Sequence, residues 1–403
     1  MTLGQARTVR LKRLFRRRDV TGRTDLPLLS VYRDLGVVQR EGRDDNFNRP
    51  SEDLAAYQMV RPGDLVLNKM KTWQGSLGIS AYEGIVSPAY FVGEPLSTDN
   101  RRFLHHLLRS QPMIAEYGKR SKGIRPSQWD LPWEEFLDIE IHLPPLGVQE
   151  AGADFLDRET TRIDALIAAK GRMIDALDER QRSLIESLST QLADGVLPLR
   201  RFISRVVQGW SPDSDGHPAD EDEWGVVKAG CVKRMVFDAD ENKALSADLE
   251  IRTDLEIHEG DLLVNRASGS TDLVGNAAIA DHVRPKLMLC DKVFRLDARP
   301  GVNPRFLMYA ISSPTGRAFI EPRLTGNPGT AYNLAQDVLL SIPVPTISVE
   351  DRERFVLLLN EAQRLSLRSS AALQQQIGLL QEHRAALITA TVTGMRQMPG
   401  AVS

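Results

Sequence analysis

The sequence predicts an α+β protein: two pseudo-repeated β-rich modules separated by two long helices that pack as an antiparallel coiled coil. Three observations predict it. First, the second half repeats the plan of the first: Asn100, Arg102, Phe103 and Leu104 recur 203 positions on as Asn303, Arg305, Phe306 and Leu307. The same shift carries Ile174, Leu177, Glu179, Leu184 and Ile185 onto Ile377, Leu380, Glu382, Leu387 and Ile388. Gly63-Asp64-Leu65 with Asn68 reappears 197 positions on as Gly260-Asp261-Leu262 with Asn265. Such a slip is what loop insertions leave in a duplication, and the period far exceeds the roughly 20–50 residues of a solenoid unit. Second, each half opens with short apolar runs broken by turn residues. Third, each half closes on a long stretch with apolar residues at alternating steps of four and three.

From Leu26 to Leu143 the runs Leu28-Leu29-Ser30-Val31-Tyr32, Asp64-Leu65-Val66-Leu67 and Ala89-Tyr90-Phe91-Val92 read as strands, punctuated by Pro62-Gly63 and Gly93. Asp99 to Tyr117 reads as one helix capped by Asp99, with Phe103, Leu104, Leu107, Leu108 and Ile114 on one side. A polar loop, Lys119 to Trp129, precedes a closing strand from Leu137 to Leu143, which Pro144-Pro145 ends. A helix then runs from about Val148 to Leu192, and Gly195 is placed to end it. Leu156, Thr160, Ile163, Ile167, Lys170, Ile174, Leu177, Gln181, Leu184 and Leu188 form its seam. About 45 residues make a rod of roughly 65 Å, and a seam that long needs another helix to cover it. The second half supplies one, from about Val349 to Val392, closed by Gly394. Leu359, Leu373, Ile377, Leu380 and Leu387 continue the seam, with Gln363, Ser366, Ser370, Arg384 and Thr391 at its weaker layers. Polar layers such as Lys170, Gln181 and Arg384 fix register at some cost in stability. An intramolecular antiparallel pair is the economical arrangement, with the modules at opposite ends of a rod; a homodimer is the alternative.

Composition bounds the class. At 403 residues the chain holds two good cores, with 42% hydrophobic and 26% charged residues. Two cysteines, Cys231 and Cys290, lack ligand spacing and read as inert buried thiols suited to a reducing cytoplasm, with a single bridge between them as the alternative. No apolar run is long enough to span a membrane, and the basic N-terminus lacks the apolar core of a signal peptide. A net charge of −3 argues against a protein that coats nucleic acid indiscriminately. Seven basic residues fall between Arg7 and Arg18 with no acid among them. They read either as a solvated, frayed arm or as a phosphate-contacting strand. The acidic stretch Ser211 to Glu223 reads as a solvated loop.

The motifs of enzymes are missing: there is no GxGxxG, Walker sequence, HExxH or GxSxG, and Asn327-Pro328-Gly329-Thr330 is not a methyltransferase motif. His105-His106 point in different directions on a helix and read as surface or partly buried residues, not ligands. Pro212-Asp213 with Glu241-Asn242-Lys243 is a loose match to a nuclease metal site without a convincing strand between the two parts. What remains are polar loops at matching places. Lys69, Lys71, Trp73 and Gln74 in the first module answer to Arg266, Ser268 and Ser270 in the second. Lys119, Arg120, Lys122 and Arg125 answer to Arg323 and Asn327. Arg and Lys suit guanine edges and phosphates, Asn and Gln suit adenine, and Ser suits either. Paired modules suit a target with two similar halves.

Module, long helix, variant module, long helix: in this order the chain resembles the specificity subunits of type I restriction–modification systems, over nearly its full length. The resemblance rests on the two Gly-Asp-Leu strands with Asn68 and Asn265, and on Pro144-Pro145-Leu146 leading to Gln149. Asp164 in Thr161-Arg162-Ile163-Asp164, and Glu382-His383-Arg384-Ala385-Ala386-Leu387-Ile388 closing on Thr391-Val392-Thr393-Gly394, complete it. The end of the first helix, Leu188-Ser189-Thr190-Gln191-Leu192, departs from that closing pattern. The resemblance implies target-recognition domains at 1–146 and 196–346, spacer helices at 147–195 and 347–395, and a tail at 396–403. Each recognition domain would read one half of a split, asymmetric site in double-stranded DNA. Lys71 and Arg125 would serve the first half, Arg266 and Arg323 the second. The helices would dock two methyltransferase subunits, with restriction subunits as further partners. S-adenosylmethionine, ATP and magnesium would be held by those partners, not by this chain, which would carry no catalysis. The competing expectation is a tandem-module scaffold whose coiled coil serves protein assembly alone.

Overall fold

The first module contains, in chain order, β1 (Arg7–Arg10), β2 (Phe15–Arg17), β3 (Leu65–Asn68), β4 (Leu77–Ile79), β5 (Tyr90–Pro95), α1 (Arg101–Leu108), α2 (Gln111–Arg120) and β6 (Glu140–Leu143). It leads into α3 (Leu146–Leu192). The second contains β7 (Gly195–Pro198), β8 (Ile203–Gln208), β9 (Leu262–Asn265), β10 (Ala277–Ile279), β11 (Val293–Ala298), α4 (Pro304–Ser312), α5 (Pro314–Ile320) and β12 (Pro343–Thr346). It leads into α6 (Val349–Val392). This computed structural model describes residues 6–40, 53–123, 129–214, 216–246, 248–327 and 330–396. The chain divides into two compact units, Met1–Lys170 with Gln375–Ser403 and Gly171–Gln374. Each unit therefore takes one module, the start of the helix that follows it and the end of the other long helix.

The repeat in the sequence is a repeat in topology. In both modules the first strand pairs antiparallel with the last, β1 with β6 and β7 with β12. Both also hold a four-stranded antiparallel sheet in the same order, β2-β5-β3-β4 and β8-β11-β9-β10. The central strands are apolar without alternation because both faces are covered. In β3, Leu65 and Leu67 face the core under the helices, whereas Val66 joins a second cluster with Val31 and Val37 of a hairpin. In β9, Leu262 and Val264 face the helices and Leu263 faces the opposite cluster. A continuous apolar run is what a strand between two layers requires.

The Gly-Asp-Leu motif is a turn that aims the central strand. Gly63 and Gly260 sit at φ 91° and 92°, where any side chain is strained. Asp64 Oδ2 accepts from the Arg61 amide, and Asp261 Oδ2 from the His258 amide. The Gly63 and Gly260 amides donate to the carbonyls of Ser80 and Ala280. Burial pushes both aspartates above the usual carboxylate range, against the pull of these amides and of Arg18 and Arg295.

Three expectations are corrected. The helix expected from Asp99 to Tyr117 is two, because Pro112 cannot continue a helix and instead starts α2 near Ser110. Its cap is Asn100, whose side chain accepts from the Phe103 amide, as Asn303 accepts from the Arg305 amide in the second module. Asp99 is buried and bound elsewhere. Arg7–Arg18 is no frayed arm: Arg7 pairs with Asp99, Arg10 with Glu140, Lys12 with Asp138, Arg16 with Glu94, Arg17 with Asp19, and Arg18 with Asp64 and Glu94. The cations stabilise β1 and β2 against acids from across the module.

Both long helices are present and the seam is mostly covered, each part within its own unit. In the first unit Leu156 and Ile163 are buried, Ile167 and Leu380 are half-buried, and all pack in one cluster with Leu387, Ile388 and Val392. Ile377 is half-buried there as well. Lys170 Nζ donates to Gln376 Oε1 at 2.5 Å, and Arg384 Nε reaches Asp164 Oδ1 at 2.9 Å. Residue numbers rise on one helix as they fall on the other, so the pairing is antiparallel. In the second unit Ile174 is buried, while Leu177 and Leu373 are half-buried. Ile185, Leu188 and Leu192 join Phe355, Val356 and Leu359. Leu184, expected in the seam, is 36% exposed, and Ile185 is fully buried in its place. The step from Gln181 to Ile185 is a second consecutive four, a shift that turns the stripe around the helix toward the module core. Both thiols are buried and free, and burial pushes them up, Cys290 to about 11. Among the described residues no helix is long and apolar enough to cross a membrane.

Candidate nucleic-acid interface

The two polar loops of each module are built side by side on the same backbone frame. In the first module the Leu131 amide donates to the Lys69 carbonyl, and Lys122 bridges to Asp130. In the second the Leu334 amide donates to the Arg266 carbonyl, and Thr325 bridges to Asn333. These are the same contacts, displaced by the two shifts of the repeat. Asn68 and Asn265 hold the first loop in place. Asn68 Oδ1 accepts from the Met70 amide, and its own carbonyl accepts from Thr72 Oγ1. Asn265 is fully buried and donates to the carbonyls of Val232 and Leu273. The motif asparagines thus brace the loops from beneath.

Lys69 and Arg266 form a second matched pair with internal partners. Lys69 Nζ donates to the Pro88 carbonyl and lies 4.6 Å from the centre of the Phe91 ring. Arg266 donates to the Asp291 carbonyl and lies 5.6 Å from the centre of the Phe294 ring. Each cation ties its loop to β5 or β11 through an aromatic face. In the other loop of the first module, Lys119 and Arg120 pair with Glu116, and Lys122 with Glu135. Arg120 holds Glu116 below the usual carboxylate range, helped by Lys119. Lys71 is exposed, and among the described residues its ammonium has no partner. Arg323 lies 4.0 Å over the Phe319 ring and donates to the Phe319 carbonyl. Ser268 Oγ accepts from the Ser270 amide, which shapes the exposed second-module loop. Gln74 is half-buried and Asn327 exposed; Arg125 lies outside the described residues.

Sequence reading missed Trp129. Its ring sits 5.0 Å from Trp73, tilted by 41°, and it is 36% exposed. The signal was available, since Tyr332 stands 203 positions on, where its strand pairs with Ala267 and Ser268. It missed the role of Gln149 as well. That side chain is buried, accepts from the Asn100 amide, and donates to Asp99 Oδ1 and the Pro144 carbonyl, each at 2.9 Å. Burial pushes Asp99 up, but hydrogen bonds from Arg7, Gln149 and Ser97 together hold it below the usual range. Gln149 thereby locks the start of α3 to the cap of α1. Elsewhere, His105 Nδ1 accepts from the Ile79 amide and His106 Nε2 pairs with Asp157 at 2.8 Å, both as parts of the packing. Glu241 of the loose nuclease pattern pairs with Lys228.

These features define a class: a tandem-module protein whose two modules present matched loop pairs on a common frame, joined through two long helices. The chain is similar to the specificity subunit of the type I restriction enzyme EcoEI from Escherichia coli, with 30% identity over 145 residues. That match covers 36% of this chain and 24% of the relative, so it spans about a quarter of the relative's length. A solved chain of a type I R-M system, described for its complex assembly and conformational transition, shares the fold. It aligns over 96% of this chain and 97% of its own, with a TM-score of 0.56 and 15% identity. The HsdS subunit from Thermoanaerobacter tengcongensis aligns over 97% of both chains, with a TM-score of 0.40 and 15% identity. No protein-family model matches the chain. The resemblance read from the sequence is borne out: the sequence is similar to a type I specificity subunit, and the fold is shared with a chain of a type I R-M system.

Proposed function

We propose that this chain is the DNA-reading subunit of a type I restriction–modification complex. Each module reads one half of a split site, and the helix pair carries two methyltransferase subunits that use S-adenosylmethionine. The observation that carries the reading is the duplicated loop pair. One hydrogen-bond frame ties Leu131 to Lys69 and Lys122 to Asp130 in the first module, and Leu334 to Arg266 and Thr325 to Asn333 in the second. Side chains on the frame differ between the modules, as two different half-sites demand. Exposed leucines support partner docking on the helices: Leu358 at 42%, Leu365 at 54% and Leu379 at 57% stand at multiples of seven along α6. Leu166 and Met173, 44% and 54% exposed, stand seven apart on α3. Exposed apolar stripes of this kind mark protein interfaces.

The test is co-expression with the methyltransferase encoded beside this gene, followed by methylome sequencing. A split adenine-methylation motif that depends on this chain is the expected outcome. A stable complex with no new methylation would favour the scaffold reading, in which the helices assemble proteins and the modules read no DNA.

A further inference from the structure

We propose that Trp73 and Trp129 determine the sequence read by the first module, by apolar contact with thymine methyl groups, while the second module reads its half-site without such a contact. The inference rests on the DNA-reading function proposed above and assigns its chemistry. The two rings pack at 5.0 Å, and Trp129 remains 36% exposed. Beside them Met70 is 43% exposed, and Lys71 is exposed. Trp73 Nε1 donates to the Met70 carbonyl at 3.1 Å, so the indole N–H is already used within the loop. What the Trp73 ring offers a duplex is therefore apolar surface, packed on Trp129 and flanked by the Lys71 cation. In the major groove the apolar feature that distinguishes a base pair is the thymine methyl.

The tip is built to hold its shape. Met70 and Thr72 are hydrogen-bonded to Asn68, and Gly75 ends the turn at φ 92°. A Cβ on Gly75 would meet Ile114 at 2.9 Å, so the loop lies tight on α2. A side chain held this way loses little entropy on binding. Trp129 has an aromatic counterpart, Tyr332, but the shift that carries Lys69 onto Arg266 carries Trp73 onto Ser270. The second module keeps one aromatic residue and replaces the other by a hydroxyl in a loop of Ser268, Gly269, Ser270 and Thr271. One frame thus presents a paired aromatic face in one copy and hydroxyls in the other.

The experiment uses the full chain in complex with its methyltransferase, on duplexes carrying the motif found by methylome sequencing. Every thymine of one half-site at a time is replaced by deoxyuridine, which removes only the methyl. We expect one half-site to lose roughly threefold to tenfold in affinity per methyl removed, and the other to change little. In Trp73→Ala and Trp129→Ala that sensitivity disappears and the response of the other half-site stays as it was. Lys71→Ala instead weakens both DNAs equally and lowers the salt slope by about one. Specific binding with no thymine–deoxyuridine difference at either half-site overturns the inference and leaves the proposed function standing. So does a variant that keeps the difference, or a motif with a half-site that lacks thymine and is the one lost in Trp73→Ala. Absence of any sequence-specific binding overturns both together.

Discussion

Replacing Gln149 by alanine should loosen the first unit at the junction of α1 and α3 and leave the second unit unchanged. The side chain makes three hydrogen bonds from a site that is 1% exposed. Truncation leaves the Asn100 amide and the Pro144 carbonyl without this partner, and Asp99 Oδ1 with Arg7 alone. At about 1 kcal/mol for each lost bond the cost is about 3 kcal/mol, more if no water enters to replace them. That raises the opening constant of this region about a hundredfold. Hydrogen exchange with mass readout measures it directly: peptides across residues 99–120 should exchange about a hundredfold faster, and peptides across 303–320 at the wild-type rate. Gln149→Glu should be worse than alanine, because it loses both donors and sets a second carboxylate against Asp99. Unchanged exchange in residues 99–120 for Gln149→Ala would refute the assignment of Gln149 as the lock.

Other expectations follow from single contacts. Ile185→Ala should cost about 2–4 kcal/mol of second-unit stability in denaturant titration, whereas Leu184→Ala should stay within about 0.5 kcal/mol. Burial, with Arg109 nearby, lowers His105 to about 3. The unfolded chain therefore binds a proton between about pH 6.5 and 3 that the folded chain does not. First-unit stability should fall as pH drops through that window, by up to about 1.4 kcal/mol per pH unit, and His105→Asn should flatten the slope. Arg234, at φ 52° in a tight hairpin, pairs with Asp178 at 2.9 Å, while Gln363 donates to the Met235 carbonyl. A double-mutant cycle of Arg234→Ala and Asp178→Ala should return a coupling of about 0.5–1 kcal/mol for this partly exposed pair. A coupling of zero would leave Gln363 as the hairpin's tie to the helices.

Much of the fold was legible because it is written in periodicity. The seam spacing located both long helices to within two residues, since a 3.5-residue repeat sustained over forty positions has no other reading. The duplication was legible as well, because Asn100 and Asn303 cap equivalent helices and Gly63 and Gly260 form equivalent turns. What was not legible depends on partners distant in sequence. The basic run Arg7–Arg18 looks free when read alone, and only the fold brings Asp99, Glu140, Asp138 and Glu94 to it. Lys69 and Arg266 look like exposed loop cations until Phe91 and Phe294, on another strand, are placed beneath them. Leu184 against Ile185 is a choice between neighbours that local spacing cannot make, because the module core, not the helix partner, decides it.

The matched pairs separate two roles that a loop residue can play. Where both copies keep the same contact, the residue belongs to the frame: the cation on Phe91 or Phe294, and the amide of Leu131 or Leu334 on its carbonyl. Mutating such a residue should disturb any half-site, whatever its sequence, because it moves the whole loop. Where the copies differ, as at Trp73 against Ser270 or Trp129 against Tyr332, the frame tolerates the difference, and under the proposed function the residue is free to specify. Lys69 and Arg266 therefore make poor choices for changing specificity despite their charge, and Trp73 a good one despite having none. A swap of residues 70–74 for their counterparts in a relative should change one half of the methylated motif. A swap at residue 69 should weaken methylation without changing the motif.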